Sequence, residues 1–351
     1  MNNKESRNLY YYGIDNNRGG MENFALNLLK GIRNKRDDLN INIITEFDDF
    51  AFKEIFLNRL KCNYFSTPRK NKHPLQYKKS LKKIFKSINE NDIFVCSLMS
   101  YRNFVLLKEI SKLKCKVFII GHSSGNKKIN LFHSFFRMKY VNLGTKIAPT
   151  DAIARFMFLN RDCIIIPNGI QSKKFAFNNE YRSSIRKQLE VSDQTFLVGH
   201  IGRISYLKNQ KFTSKLTNLV PDKYHFLFLG KLQDEKQIND INISNSTILN
   251  ETIDVNKYYS ALDVLVVPSI HEGQPYVALE ASANGLPVLC SVNVPHIDGL
   301  NNIKYLELIE KDWLRSLSDM RINCSPRDNL LIGTPYEIKN SVNRYIEIFN
   351  I

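Results

Sequence analysis

Apolar positions along this chain follow two alternating rhythms. Short continuous runs at 9–12, 41–45, 93–96, 117–121, 146–149 and 164–166 read as buried strands. Between them the spacing turns helical. Leu26, Leu29 and Ile32 predict a helix over 21–33 with that stripe against a sheet, and Thr150 predicts a cap for a helix beginning near Asp151. Pro167-Asn168-Gly169 then signals a turn and a domain boundary. Beyond it the rhythm restarts, with strands expected at 196–201, 225–229, 247–249 and 264–267. The last segment, 335–351, places Ile338, Val342, Tyr345, Ile346 and Phe349 at near-helical spacing.

Residues 263–291 carry the most informative pattern. The apolar run 264–267 leads into a turn-rich loop. Pro275 then opens a helix that Gly285 and Pro287 close, and a second apolar run follows at 286–290. Strand, loop, helix, strand is a βαβ unit and implies a parallel sheet. Glu272 lies in the loop and Glu280 in the helix, at the end where open α/β sheets bind ligands. Helix N-termini there favour anions such as a diphosphate, and a carboxylate suits sugar or ribose hydroxyls. Together they describe a nucleotide sugar. Arg203 and Lys208 follow the strand at 196–201 and supply the cations that a departing diphosphate requires. His122 ends the strand at 117–121, but no spacing in the chain suggests a nucleophilic triad.

Glu272-Gly273-Gln274-Pro275 through Glu280 resembles the E-x7-E motif of glycosyltransferase family 4, retaining enzymes of GT-B architecture. Gly19-Gly20-Met21-Glu22 is similar to the family's N-terminal glycine loop, and His122-Ser123 to its active-site histidine. Pro167-Asn168-Gly169-Ile170 resembles its inter-domain linker. Gly199-His200-Ile201-Gly202-Arg203 with Lys208-Asn209 resembles its phosphate-binding stretch. The turn Gly230-Lys231-Leu232-Gln233 departs from the family, which often carries a second glycine there.

The resemblance implies an α/β fold of two Rossmann-like domains with a cleft between them. An acceptor domain is expected at 1–167, a nucleotide-sugar domain at 168–334, and a C-terminal helix at 335–351 that in the family often returns to the first domain. It implies a retaining transfer of a hexose or N-acetylhexosamine from a nucleotide sugar, a UDP-sugar by expectation. The acceptor is a polyprenyl-diphosphate-linked saccharide, in the manner of capsule, exopolysaccharide and O-antigen synthesis. His122 and Glu272 are then catalytic. Gly20, Arg203, Lys208, Gly273, Gln274, Pro275, Tyr276 and Glu280 bind the donor, with Glu272 on sugar hydroxyls and Glu280 on the ribose. No D-x-D triplet occurs, so fixed cations are expected in place of a metal, and no cofactor is called for.

Charge adds one element to this picture. The chain of 351 residues has a formal net charge of +16. Residues 66–89 hold eight Lys or Arg and no Asp or Glu. Leu81, Ile84, Phe85 and Ile88 fall at i, i+3, i+4 and i+7 among Lys78, Lys79, Lys82, Lys83 and Lys86. This basic amphipathic helix points to an anionic membrane surface reached through 69–86. The six cysteines (Cys62, Cys96, Cys115, Cys163, Cys290 and Cys324) form no C-x-x-C pair and read as reduced thiols. No signal-peptide core and no run of ~18 apolar residues is evident, so a cytoplasmic protein, peripheral on the inner membrane face, is expected. Other readings are a GT-B nucleotide-sugar epimerase or glycan phosphorylase, although the lysine signature of a pyridoxal-type phosphorylase is missing. Charge alone suggests nucleic acid, and without aromatic–basic interleaving none is expected as a partner.

Overall fold

The structure, a computed structural model, describes residues 7–16, 19–125, 131–159, 162–322 and 327–351. Cys324, part of the glycine loop at 13–20 and part of the polar stretch at 323–329 therefore lie outside the described residues. The chain forms two compact units, one of residues 1–169 and 338–351, the other of residues 170–337.

The first unit is built on a seven-stranded parallel sheet. Its strands are β1 (Asn8–Tyr12), β2 (Asn40–Thr45), β3 (Asn63–Ser66), β4 (Ile93–Leu98), β5 (Lys116–Gly121), β6 (Thr145–Ala148) and β7 (Cys163–Ile165). They lie in the order β3-β2-β1-β4-β5-β6-β7. Alternate residues point to opposite faces of a strand, so β1 sends Leu9 and Tyr11 to one core and Tyr10 and Tyr12 to another. Both faces are covered, and for that reason β4 is buried at every position, as strands of parallel sheets generally are. The helix Gly20–Lys35 covers one face with Phe24, Ala25, Leu28, Leu29 and Ile32. Leu26, expected on that stripe, is only half-buried, because the true period brings Leu28 and Phe24 inward instead. Tyr345 and Phe349 of the helix Ile338–Phe349 join the same core. The helix Pro74–Phe85 covers the opposite face through Tyr77, Leu81, Ile84 and Phe85. Thr150 caps the helix Asp151–Phe158 by accepting from Ile153 N.

The second unit repeats the plan with six parallel strands. These are β8 (Phe196–Ile201), β9 (Tyr224–Leu229), β10 (Ser246–Leu249), β11 (Val264–Val267), β12 (Val288–Ser291) and β13 (Ile303–Leu306), in the order β10-β9-β8-β11-β12-β13. The helices Val255–Ala261 and Tyr276–Ala283 cover one face, and Gln210–Thr217 and Glu310–Ile322 the other. Each sheet grows outward in both directions from its first strand. The order therefore reverses at β1/β4 and at β8/β11, and such switch points open a crevice at the carboxyl ends of the strands. No helix among the described residues is long and apolar enough to cross a membrane.

Candidate active site

In the second unit the loops after β8 and β11 are tied together at the switch point. Ile270 N donates to Leu207 O at 2.9 Å, and Asn209 Nδ2 donates to Pro268 O at 3.0 Å. Asn209 sits in the left-handed region with φ 59°, which an asparagine tolerates well, as it leads into the helix Gln210–Thr217. These ties set Lys208 against Glu272. The ammonium lies 2.5 Å from Glu272 Oε1, and Ser269 Oγ donates to that same oxygen at 2.8 Å. Both side chains are largely covered, at 23% exposed for Lys208 and 11% for Glu272.

Glycine is needed where the first loop leaves β8. Gly202 has φ +141°, and a Cβ on neighbouring Gly230 would lie 2.1 Å from the Gly202 carbonyl oxygen. Backbone therefore packs on backbone at the ends of β8 and β9, whatever the residues after Gly230.

Glu280 sits one turn into the helix Tyr276–Ala283 and accepts from the Tyr259 hydroxyl at 2.6 Å. Burial raises its carboxyl from the ordinary 4.5 to about 7, against the opposing pull of the Tyr259 bond and the charges of Lys174 and Lys208. Tyr259 is itself pushed well above 10 by burial and by the Glu280 charge, so it remains a donor. Pro275 stands at the N-cap, one position before the helix that it was expected to open. Its carbonyl accepts from Ala278 and Leu279. Gln274 is buried beneath the loop, while Gly273 and Tyr276 are half-buried at its rim.

Lys208 thus pairs with Glu272, and its charge also acts on the Glu280 carboxyl. Arg203 follows β8 as expected, but its side chain is exposed. Its carbonyl accepts from Gln210 Nε2 at 2.9 Å and from Ser205 Oγ at 3.5 Å. Two residues that hold these groups were not foreseen. Ser269, three positions before Glu272, carried a local signal as a short hydroxyl within reach of the carboxylate. Tyr259 carried none, because its contact with Glu280 spans two helices.

In the first unit, Gly20 is the first residue of the helix Gly20–Lys35. His122 lies just past β5, its Nε2 bonded to Ser97 Oγ at 3.1 Å, and that hydroxyl is 2.6 Å from the Tyr11 hydroxyl. The Phe24 ring meets the imidazole edge-on at 5.0 Å. Burial lowers the imidazole to about 3, so it is neutral at physiological pH. Among the described residues no three His, Cys, Asp or Glu side chains gather as a metal site.

Residues 195–309 match the family model for Glycosyl transferases group 1. The chain is 24% identical over 239 residues to the putative glycosyltransferase EpsF of Bacillus subtilis, covering 62% of each. It is 28% identical over 206 residues to the UDP-Gal:alpha-D-GlcNAc-diphosphoundecaprenol alpha-1,3-galactosyltransferase of Escherichia coli, covering 53% of this chain and 50% of that protein. The chain thus aligns with about half to two thirds of the length of these relatives. Among solved structures, HepE of Anabaena in complex with UDP superposes with a TM-score of 0.80 at 16% identity, over 98% of this chain and 99% of that one. The doubly wound sheets and these likenesses agree: the fold is that of the GT-B glycosyltransferases, and residues 195–309 are similar to the group 1 glycosyltransferases.

Proposed function

We propose that this protein moves a hexose or N-acetylhexosamine from a UDP-sugar to a lipid-linked saccharide, with retention at the anomeric carbon, in the synthesis of a bacterial surface polysaccharide. The observation that carries the donor half is the pairing of Lys208 with Glu272 at the β8/β11 switch point, with the same cation acting on Glu280. A cation beside two carboxylates offers what a sugar diphosphate presents, an anion flanked by hydroxyls. Glu272 takes the donor sugar and Glu280 the ribose. The loop Gly273–Tyr276 contributes to the donor site, and the exposed Arg203 guanidinium meets the phosphates. With Lys208 and Arg203 as fixed cations the transfer is metal-independent, so EDTA leaves the rate unchanged. His122, neutral, and Gly20 serve from the first unit.

The lipid-linked acceptor is supported by the Escherichia coli relative, which acts on a diphosphoundecaprenol-linked sugar. Membrane approach is supported by the helix Pro74–Phe85. Its apolar stripe is buried in the first unit, while Lys79, Lys82 and Lys83 are exposed. Attachment would therefore be electrostatic and not insertive, at ~1 kcal/mol for each cation near the surface. The test is a thermal-shift screen of nucleotide sugars, followed by transfer to a polyprenyl-diphosphate sugar with wild type, Glu272→Ala and Arg203→Ala. Stabilisation by UDP-sugars and loss of transfer in both variants are expected. Near-full transfer by both at saturating donor would sink the assignment, and conversion of the UDP-sugar without an acceptor would point to an epimerase.

A further inference from the structure

The first unit has its own cavity at its own switch point. About 190 Å³ open at the carboxyl ends of β1, β2 and β4, lined in part by Tyr12, Glu46, Lys70, Ser97, Arg102 and Asn103. Glu46 and Phe47 also line an adjoining cavity of about 550 Å³ that includes Asp48, Asp49 and Arg69. Glu46 therefore stands between the two spaces, and its side chain is only 9% exposed.

That carboxylate is fixed on three sides. Oε1 accepts from the Tyr12 hydroxyl and from Lys70 Nζ, each at 2.7 Å, and Oε2 accepts from the Lys70 backbone N–H at 2.9 Å. The Tyr12 hydroxyl accepts in turn from Asn103 Nδ2 at 3.1 Å, and Asn103 also donates to Tyr77 at 2.8 Å. Burial pushes both tyrosines upward, so their hydroxyls stay protonated and the chain of donors keeps its direction. A carboxylate oxygen takes about two hydrogen bonds and an ammonium gives three. Among the described residues, Oε2 thus keeps room for one donor, and Lys70 Nζ keeps protons beyond the one given to Glu46. One ion pair, joined at 2.7 Å through Oε1, thus presents an acceptor on its carboxylate and a donor on its ammonium, and these match two neighbouring oxygens of a sugar ring, one a hydroxyl that donates and the other an oxygen that accepts. A diphosphate fits poorly, since it brings no proton for Oε2, and among the described residues the larger cavity faces it with Glu46, Asp48 and Asp49 against Arg69.

We propose that the Glu46–Lys70 pair reads two adjacent oxygens of the acceptor saccharide, so that this cavity selects the acceptor by its sugar and not by its diphosphate. The inference rests on the transferase reading above and adds the part of the acceptor that this unit recognises. The test uses saturation-transfer-difference NMR on the full chain with UDP present throughout. The probes are the methyl glycosides of glucose, galactose, N-acetylglucosamine and N-acetylgalactosamine. At least one is expected to bind wild type, and its affinity should fall about tenfold or more in Glu46→Gln and in Lys70→Met, the effect of losing one charge-assisted hydrogen bond. UDP affinity should stay unchanged in both variants. The Lys70 side chain is 38% exposed, so its variant carries the test should Glu46→Gln fail to fold. Binding of no glycoside, equal binding by both variants, or displacement of the glycoside by inorganic pyrophosphate would each overturn the inference. Failure of UDP to bind at all would instead strike the transferase reading.

Discussion

Glu280 combines burial with a carboxyl raised to about 7, and this makes its protonation an observable. A raised acid holds its proton more tightly folded than unfolded. Its contribution to stability is full below about 4.5 and is lost as pH rises through about 7. Glu280→Gln should remove that loss from the dependence of melting temperature on pH. On the proposed reading the carboxylate is the better partner for ribose hydroxyls. UDP affinity should therefore strengthen more across about pH 6 to about pH 8 in wild type than in Glu280→Gln, where only the UDP phosphate still titrates, as titration calorimetry would record. Lys208→Met should weaken UDP binding by about tenfold to a hundredfold, the scale of one charge-assisted bond. The placement of Glu272 in the loop after β11 and of Glu280 in the helix that follows was legible in the chain from the apolar runs and turn residues around them. The Tyr259 bond was not, because residues 21 apart meet only through packing of one helix on the next. Arg203 was placed correctly after β8, but sequence could not tell that its side chain would stand exposed while Lys208 turned inward.

Among the elements, β11 and β12 are the most legible, since continuous apolar runs bounded by turn residues leave few alternatives. Strand β3, with Asn63 and Ser66 at its ends and exposed or half-buried throughout, gave no such signal. It is held at the sheet edge by pairing with β2. An equally silent feature is the clasp on Asp263, the residue just before β11. Its carboxylate accepts from Arg182 Nη2 at 2.7 Å, from Arg186 Nη1 at 3.2 Å and from the Leu197 backbone N–H at 2.7 Å. It thereby fastens the helix Asn179–Gln188 to β8 and β11. Arg186 is 1% exposed, so removing its counter-charge leaves a buried cation poorly paired. Asp263→Asn should cost about 3–5 kcal/mol in denaturant unfolding. A second contact joins the helices Gly20–Lys35 and Ile338–Phe349. A Cβ on Gly31 would lie 2.6 Å from Val342 Cγ1. Gly31→Ala should therefore destabilise despite its better helix propensity, and Gly31→Ala with Val342→Ala should recover part of the loss, a coupling that a double-mutant cycle would measure.

For the whole molecule, acid should be the harsher direction of pH. His122 and His200 are both lowered to about 3 by burial. A depressed histidine keeps its stabilising neutral state above its ordinary 6.5, and that stability is lost as pH falls toward 3. Unfolding near pH 5 should accordingly take up protons, and less so in His200→Gln. The amphipathic stripe of the helix Ile338–Phe349 does not name its partner, and only the family resemblance suggested a return to the first unit. The helix belongs to the first unit, where Ser341 Oγ donates to Pro167 O at 2.8 Å and Tyr345 and Phe349 are fully buried. The second unit therefore interrupts the first, and its two ends lie side by side where Ile170 bridges to Glu337. A ribosome makes the front of the first unit early and its closing helix more than 160 residues later. The portion synthesised first is thus the portion finished last, and it waits with an open apolar seam while the inserted unit is completed.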